Sequence, residues 1–367
     1  MPDPKPTGAS KTLPIHPDVV ARELAQTRAD VTPRAVTPPR IGHPPPRTPA
    51  GFVALPADNL SPADRYELIG EVARGGMGVL LRARDALVGR EVVIKLLRHE
   101  YRGVATAERR FLREARVNGQ LQHPGIVPVY DVGRFPDGRP FFTMRYVHGR
   151  TLDALLADRP HPAADRGRFL RLFEQVCQTV AYAHAKGVVH RDLKPLNVMA
   201  SGFGQVRVLD WGLAKVLGER TPRSADPTMT IPMHGPPHDT AGGSAVGTPA
   251  YIAPEQAAGR HDAVDERSDV FGLGGILCEI LTGGPPYAGR SVAEVWARAT
   301  AGDLADAHAR LAGCGADSHL IDLARRCLAA DPADRPRAAD EVAAAVAAPP
   351  RPGGLRAAVG RWLRRGG

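Results

Sequence analysis

Cysteine is scarce in this chain and scattered where it occurs. Cys177, Cys278, Cys314 and Cys327 are its four cysteines, without the close pairs that a zinc site needs. Their apolar, helical surroundings read as ordinary buried thiols in a reducing compartment. Long apolar runs are missing as well. The longest, Val270 to Leu281, is too short to span a bilayer and carries Glu279. Met1 to Lys11 is polar and broken by proline rather than basic and then apolar, so no secretory leader is expected. The chain is therefore expected to be soluble and cytoplasmic. No internal repeat is visible, which excludes a solenoid.

What is abundant is unevenly placed. Aromatics make up only 5% of the 367 residues, but there are 35 prolines, of which 14 crowd into the first 62 positions. Ring-locked residues without amide donors cannot build helix or sheet interior, so residues 1–62 read as a disordered Pro-rich arm. Within it, Asp18 to Gln26 has the pattern for a helical turn or two that would dock on a partner or on the rest of the chain; an unstructured linker is the alternative. The net charge of +9 would suit nucleic acid or an anionic membrane. Arg-for-Lys and Ala-rich usage accounts for it equally as a coding bias, and no nucleic-acid partner is expected.

From Tyr66 the pattern becomes that of strands: Tyr66 to Val72, a glycine turn Ala73-Arg74-Gly75-Gly76-Met77-Gly78, then Val79 to Arg84 and Arg90 to Leu97. Glycines in such a turn let backbone amides approach phosphate oxygens. Strand alternation puts Val93 and Lys95 on one face. A lysine amid apolar residues needs an anionic partner, either a phosphate or a carboxylate. A helix predicted from about Thr106 to Leu121 offers Glu114, three residues after Phe111 and on the same inward face; a surface Glu114 paired with Arg110, Arg113 or Arg116 is the alternative. Strands at Ile126 to Gly133 and Pro140 to Val147 complete a five-stranded sheet with one helix. Past Gly149 the periodicity turns helical, with Phe169, Leu172, Phe173, Val176, Val180 and Ala183 at helical spacing and Gly187 as the stop. His190-Arg191-Asp192-Leu193-Lys194-Pro195-Leu196-Asn197 follows, then a short hairpin and Asp210-Trp211-Gly212. A long polar stretch ends at Ala253-Pro254-Glu255. Helical patterns recur at Arg267 to Leu281, Val292 to Ala301, Ser318 to Ala329 and Arg337 to Ala348.

The order of these motifs resembles a eukaryotic-type (Hanks-type) serine/threonine protein kinase of bacterial character, from residue 66 to about 347. The resemblance implies an α+β, two-lobed protein kinase-like fold: a five-stranded antiparallel lobe with one main helix over residues 66–147, a mainly helical lobe over 148–347, and ATP in the cleft between them. It implies that Lys95 contacts the α and β phosphates and pairs with Glu114. Asp192 would be the base for the substrate hydroxyl, and Lys194 would neutralise the transferring phosphoryl group. Asn197 and Asp210 would hold Mg²⁺, or Mn²⁺ in its place. Val72, Ala73, Gly75, Gly76, Gly78 and Leu80 would cover the nucleotide. The adenine would lie between Val93 and Met199, its edge bonded to the backbone of Arg145 and Val147, with Met144 as gatekeeper. Glu255 would pair with Arg335, and Asp269 would anchor the catalytic loop.

The resemblance also implies regulation. Arg191 before Asp192 is a cation that calls for a phosphate, with Lys215 as a second contributor, so activity is expected to rise on phosphorylation between Thr221 and Thr248, at Thr240 or Ser244. Thr248 would bond toward Asp192 and Lys194. The expected partners are protein substrates, with self-phosphorylation and dimerisation. Three positions depart from the pattern. Ala73 replaces the first glycine of the turn, Val93 replaces alanine and narrows the adenine slot, and Trp211 replaces phenylalanine. A buried indole N–H needs an acceptor; Asn118, one helical turn beyond Glu114, or nearby backbone is expected to supply it. A pseudokinase scaffold and a small-molecule kinase are the competing readings. The first lacks support because Lys95, Glu114, Asp192, Asn197 and Asp210 are all present, the second because the Ala-Pro-Glu motif and the segment before it are present. Residues 348–367 read as a disordered basic tail, with membrane contact through Trp362 and its arginines, or a lost spanning helix beyond it, as the alternatives.

Overall fold

The computed structural model describes residues 65–348, apart from 136, 203 and 219–248. The proline-rich arm, the basic tail and Thr240, Ser244 and Thr248 lie outside the described residues. The chain divides into two compact units. The first holds the described residues up to Ala115 together with Val129–Tyr146, and the second holds Arg116–Pro128 and everything from Val147 onward.

The first unit is an antiparallel sheet of β1 (Tyr66–Arg74), β2 (Gly78–Asp85), β3 (Arg90–Leu97), β4 (Val129–Arg134) and β5 (Pro140–Arg145) in the order β1-β2-β3-β5-β4. Both faces of β3 are apolar, which explains its run of branched residues. Val92, Ile94 and Leu96 pack with Tyr66, Ala83, Phe135 and Phe141 on one face. On the other, Leu97 meets Phe111, Ala115 and Phe142, so helix α1 (Ala105–Gln120) lays the part of it that belongs to this unit across the sheet. Lys95 alternates with these residues and shares the face of Val93 and Leu97. β1 runs on to Arg74, further than the predicted Val72, because Ala73 and Arg74 still pair with Leu80 and Val79.

The second unit begins with β6 (Arg150–Thr151) and α2 (Leu152–Ala157), whose first turn is capped by the Thr151 hydroxyl accepting from the Ala154 amide. Next come α3 (Arg166–Ala185), β7 (Val188–Val189), β8 (Val198–Ala200), β9 (Val206–Val208) and β10 (Lys215–Val216). Strands β6, β8 and β9 form one small sheet, and β7 and β10 another. The remaining helices are α4 (Pro254–Ala257), α5 (Glu266–Thr282), α6 (Val292–Ala301), α7 (Ala305–Gly313), α8 (Ser318–Cys327) and α9 (Ala339–Ala347). Helix α5 is buried almost all round because its glycines let neighbours reach the backbone. A Cβ at Gly272 would lie 2.9 Å from that of Leu193, and one at Gly274 2.6 Å from that of Cys327. The first of these contacts seats the catalytic loop directly on α5.

Helices α2 and α7 and the single turn α4 were not predicted. They are short, and their alanines weaken the apolar rhythm. Ile126 does not start β4 as expected, and instead bridges Val208 in parallel. The four cysteines are free thiols, and burial pushes that of Cys327 up to about 12. Among the described residues no helix is long and apolar enough to cross a membrane.

Candidate active site

In the first unit, chemistry gathers where β1 turns into β2 and where β3 faces α1. The Lys95 ammonium donates to Glu114 Oε1 at 2.5 Å, with the two side chains only 17% and 10% exposed. Shielding of this order strengthens a charge-assisted bond and makes either partner costly to leave alone. The Phe142 ring lies 5.9 Å from the ammonium. Gly78 packs closely beside it: a Cβ there would stand 3.1 Å from Lys95 Cε, so the lysine would have to give by a few tenths of an ångström. Leu80 pairs across the sheet with both Ala73 and Lys95, and Val93 with Met144. The structure thus collects Ala73, Leu80, Val93, Lys95 and Met144 on neighbouring positions of one sheet. Val72 near the end of β1 and Arg145 at the end of β5 are exposed, and Gly75 and Gly76 form the turn itself.

In the second unit, the loop after β7 places its residues by hydrogen bonds to buried groups. Asp269 on α5 accepts the amides of His190 and Arg191, each at 2.7 Å, and the Nε2 proton of His184 at 3.0 Å. The His184 Nδ1 accepts from the Ala339 amide, which fixes that tautomer. Burial alone would raise the Asp269 carboxyl, but the hydrogen bonds from His184 and from the Arg191 amide outweigh it and hold the group below the usual carboxylate range. With both amides pinned, Arg191 takes a left-handed conformation, φ 73°, and Asp210 does the same at φ 60°. The Gln256 side chain adds a bond to the Arg191 carbonyl at 3.0 Å.

Asp192 then projects between two donors. Lys194 Nζ reaches its carboxylate oxygens at 2.8 and 3.0 Å, and Asn197 Nδ2 donates to its Oδ2 at 2.9 Å and its carbonyl at 2.8 Å. Because the amide nitrogen of Asn197 is occupied in this way, its oxygen is the atom left to face a metal. Asp210, an exposed carboxylate, supplies a second hard oxygen, the donor type Mg²⁺ prefers. Met199 pairs with Thr151 across the small sheet. Val147 is half-buried at the start of this unit's second segment. A cavity of about 200 Å³ opens beside Asp192, lined among others by Arg191, Leu213, Tyr251, Ile252 and Trp296.

Trp211 is buried, and its indole lies edge-on to His190 with ring centres 4.6 Å apart. Of the two acceptors expected for its N–H, backbone wins: Nε1 donates to the Val208 carbonyl at 3.3 Å. Asn118 is buried as well, and its Oδ1 has no partner among the described residues. Lys215, expected as a second cation for a phosphate, gives its ammonium to the carbonyls of His261 and Val264 at 3.1 and 2.9 Å.

Further from Asp192, Glu255 and Arg335 form a two-bond pair at 2.8 and 2.9 Å, almost wholly buried. Ser268 donates to the same carboxylate, and Arg335 also reaches the carbonyls of Ala329, Ala330 and Arg267. Every polar edge is thus served, as a buried pair requires. Sequence reading missed His184 and Gln256. Both sit in helices far along the chain from what they hold, so no local spacing announces them.

The family comparison agrees with this arrangement. The protein kinase domain model matches residues 66–345. The DNA damage-responsive serine/threonine-protein kinase RqkA of Deinococcus radiodurans is 42% identical over 233 residues, covering 62% of this chain and 31% of that protein. The serine/threonine-protein kinase PknB of Mycobacterium tuberculosis is 36% identical over 286 residues, covering 77% of this chain and 42% of that protein. The serine/threonine-protein kinase PknD of Chlamydia felis is 37% identical over 235 residues, covering 61% and 24%. This chain spans less than half the length of these curated relatives. Its matched region, its sheet order and its ordered set of motifs identify it as a member of the protein kinase family, of the bacterial serine/threonine class.

Proposed function

We propose that this chain transfers the γ-phosphoryl group of ATP to serine or threonine hydroxyls of proteins. The observation that carries the reading is Asp192, a carboxylate held by Lys194 and Asn197. Asp192 accepts the proton of the incoming hydroxyl. Lys194, already beside it, balances negative charge at the transfer position. The Asn197 oxygen and the Asp210 carboxylate would hold Mg²⁺, which when bound supplies charge to offset that of the phosphates. Lys95, kept in place by Glu114, would bind the α and β phosphates, and the glycine turn would bind phosphate through its amides. Val93, Met144, Arg145, Val147 and Met199 would hold the adenine. Positioning and charge stabilisation then account for the rate, with little covalent work asked of the protein.

Phosphorylation within residues 221–248, at Thr240 or Ser244, is the proposed route of activation through Arg191, with Thr248 bonding toward Asp192 and Lys194. Protein substrates, self-phosphorylation and dimerisation belong to the same proposal. Transfer from labelled ATP to a mixed protein substrate tests it. Asp192→Asn should lower the rate by about 100-fold or more while keeping the melting temperature. Equal transfer by the variant and the wild-type protein would refute the reading.

A further inference from the structure

Arg98 stands outside every motif named so far. It follows β3 directly, three residues after Lys95. Its guanidinium Nη1 donates to the carbonyls of Gly75 and Gly76 at 3.2 and 3.3 Å. Its own amide donates to the carbonyl of Met77 at 2.9 Å. One residue thus gathers three successive carbonyls of the glycine turn. The guanidinium's Nη2 is held by Glu100 in an ion pair, and most of the Arg98 side chain is shielded from water.

Peptide planarity turns this grip into a direction. In a trans peptide the carbonyl and the following N–H point opposite ways. Carbonyls of Gly75 and Gly76 turned toward Arg98 therefore turn the amides of Gly76 and Met77 away from it. Neither amide donates to any group among the described residues. Successive free N–H groups facing one way make a concavity for anions. A Cβ built on Gly76 meets nothing within 4 Å, so the turn is uncrowded at that residue.

We infer that Arg98 is a positioning residue for phosphate: by holding the carbonyls of Gly75 and Gly76, it presets the amides of Gly76 and Met77 toward the phosphates of a nucleoside di- or triphosphate. The inference rests on the kinase reading and adds to it a residue that never touches the nucleotide. Its charge is largely matched by Glu100, so the grip on the carbonyls, rather than long-range attraction, is the source of the effect. Adenosine, which has no phosphates, should be indifferent to it.

Binding of ADP and of adenosine, measured by calorimetry on the full chain, separates these cases. Arg98→Ala should weaken ADP about tenfold, the equivalent of losing one or two charge-assisted bonds, and adenosine less than twofold. Arg98→Lys keeps the charge without the planar fork and should fall between Ala and wild type. Glu100→Gln keeps the arginine but loosens its hold and should weaken ADP about twofold. Unchanged ADP binding in Arg98→Ala overturns the inference. So does parallel loss of adenosine, which would mark general damage to the sheet, and so does full recovery in Arg98→Lys, which would mark charge alone. If Arg98→Ala does not fold, Arg98→Lys and Glu100→Gln carry the same comparison. Wild-type protein that binds neither compound refutes the kinase reading itself, and that result requires no variant.

Discussion

Lys95 and Asp192 are each held by an ion pair, at 2.5 Å to Glu114 in one unit and 2.8 Å to Lys194 in the other, but the support behind the two pairs differs. Behind Lys95 stand one helix face and a turn fastened by the partly shielded Arg98. Behind Asp192 stand wholly buried groups: Asp269 with three donors, and Glu255 with Arg335 and Ser268. A site resting on buried, fully bonded groups is preorganised, and its geometry is tied to the stability of its unit. A site resting on one ion pair and a turn, with fewer buried bonds behind it, can lose that pair as a whole with little effect on folding. The two regions should therefore respond to substitution in different measurements.

Lys95→Met combined with Glu114→Gln, which removes both charges of the pair together, should show the largest effect. Phosphoryl transfer should fall by about 100-fold or more, while stability changes by about 1 kcal/mol, read as a small shift of the urea midpoint. If the midpoint dropped as far as for a substitution at Asp269, the proposed contrast would be gone.

Asp269→Asn should do the reverse at the level of folding, costing about 3 kcal/mol through a weakened set of buried bonds. Its pH dependence sharpens the test. The folded Asp269 carboxyl is held below its ordinary value. Its stabilisation is therefore complete above the ordinary carboxylate range and is lost as pH falls through the folded value, below about pH 4. The difference in urea midpoint between wild type and Asp269→Asn should narrow steadily as the pH is lowered below about 4. A constant difference between them would show that the charge of Asp269 has no part.

The smallest effect concerns Asn118. Its buried Oδ1 lacks a partner among the described residues, so Asn118→Leu should stabilise the chain by about 1 kcal/mol, visible as a raised melting temperature. A loss of stability would mean that the amide has a role in this packing after all.

Much of this was legible before any coordinates. Lys95 and Glu114 could be matched because alternation in a strand and spacing in a helix each fix a face. Helix α6 falls on the predicted Val292–Ala301 because Ser291 caps it and Gly302 ends it in a left-handed turn. Contacts that local pattern does not encode were illegible. His184 meets Asp269 across 85 positions. The choice of Val208 over Asn118 by the Trp211 indole depends on which acceptor the fold brings nearer in line, and Lys215 turned out to serve two carbonyls. Arg98 sits after a strand where an exposed arginine is ordinary, and only the path of the glycine turn gives it a task.

The left-handed backbone at Arg191 and Asp210 has a consequence for anyone selecting sturdier variants of this protein. Each non-glycine residue held there costs about 1 kcal/mol relative to a relaxed backbone. Glycine or asparagine at either position would relieve that cost, so a screen that rewards heat resistance alone would favour them. The same screen would discard the cation beside Asp192 and the carboxylate at Asp210, and the protein would become more durable as the groups proposed for phosphoryl transfer disappeared.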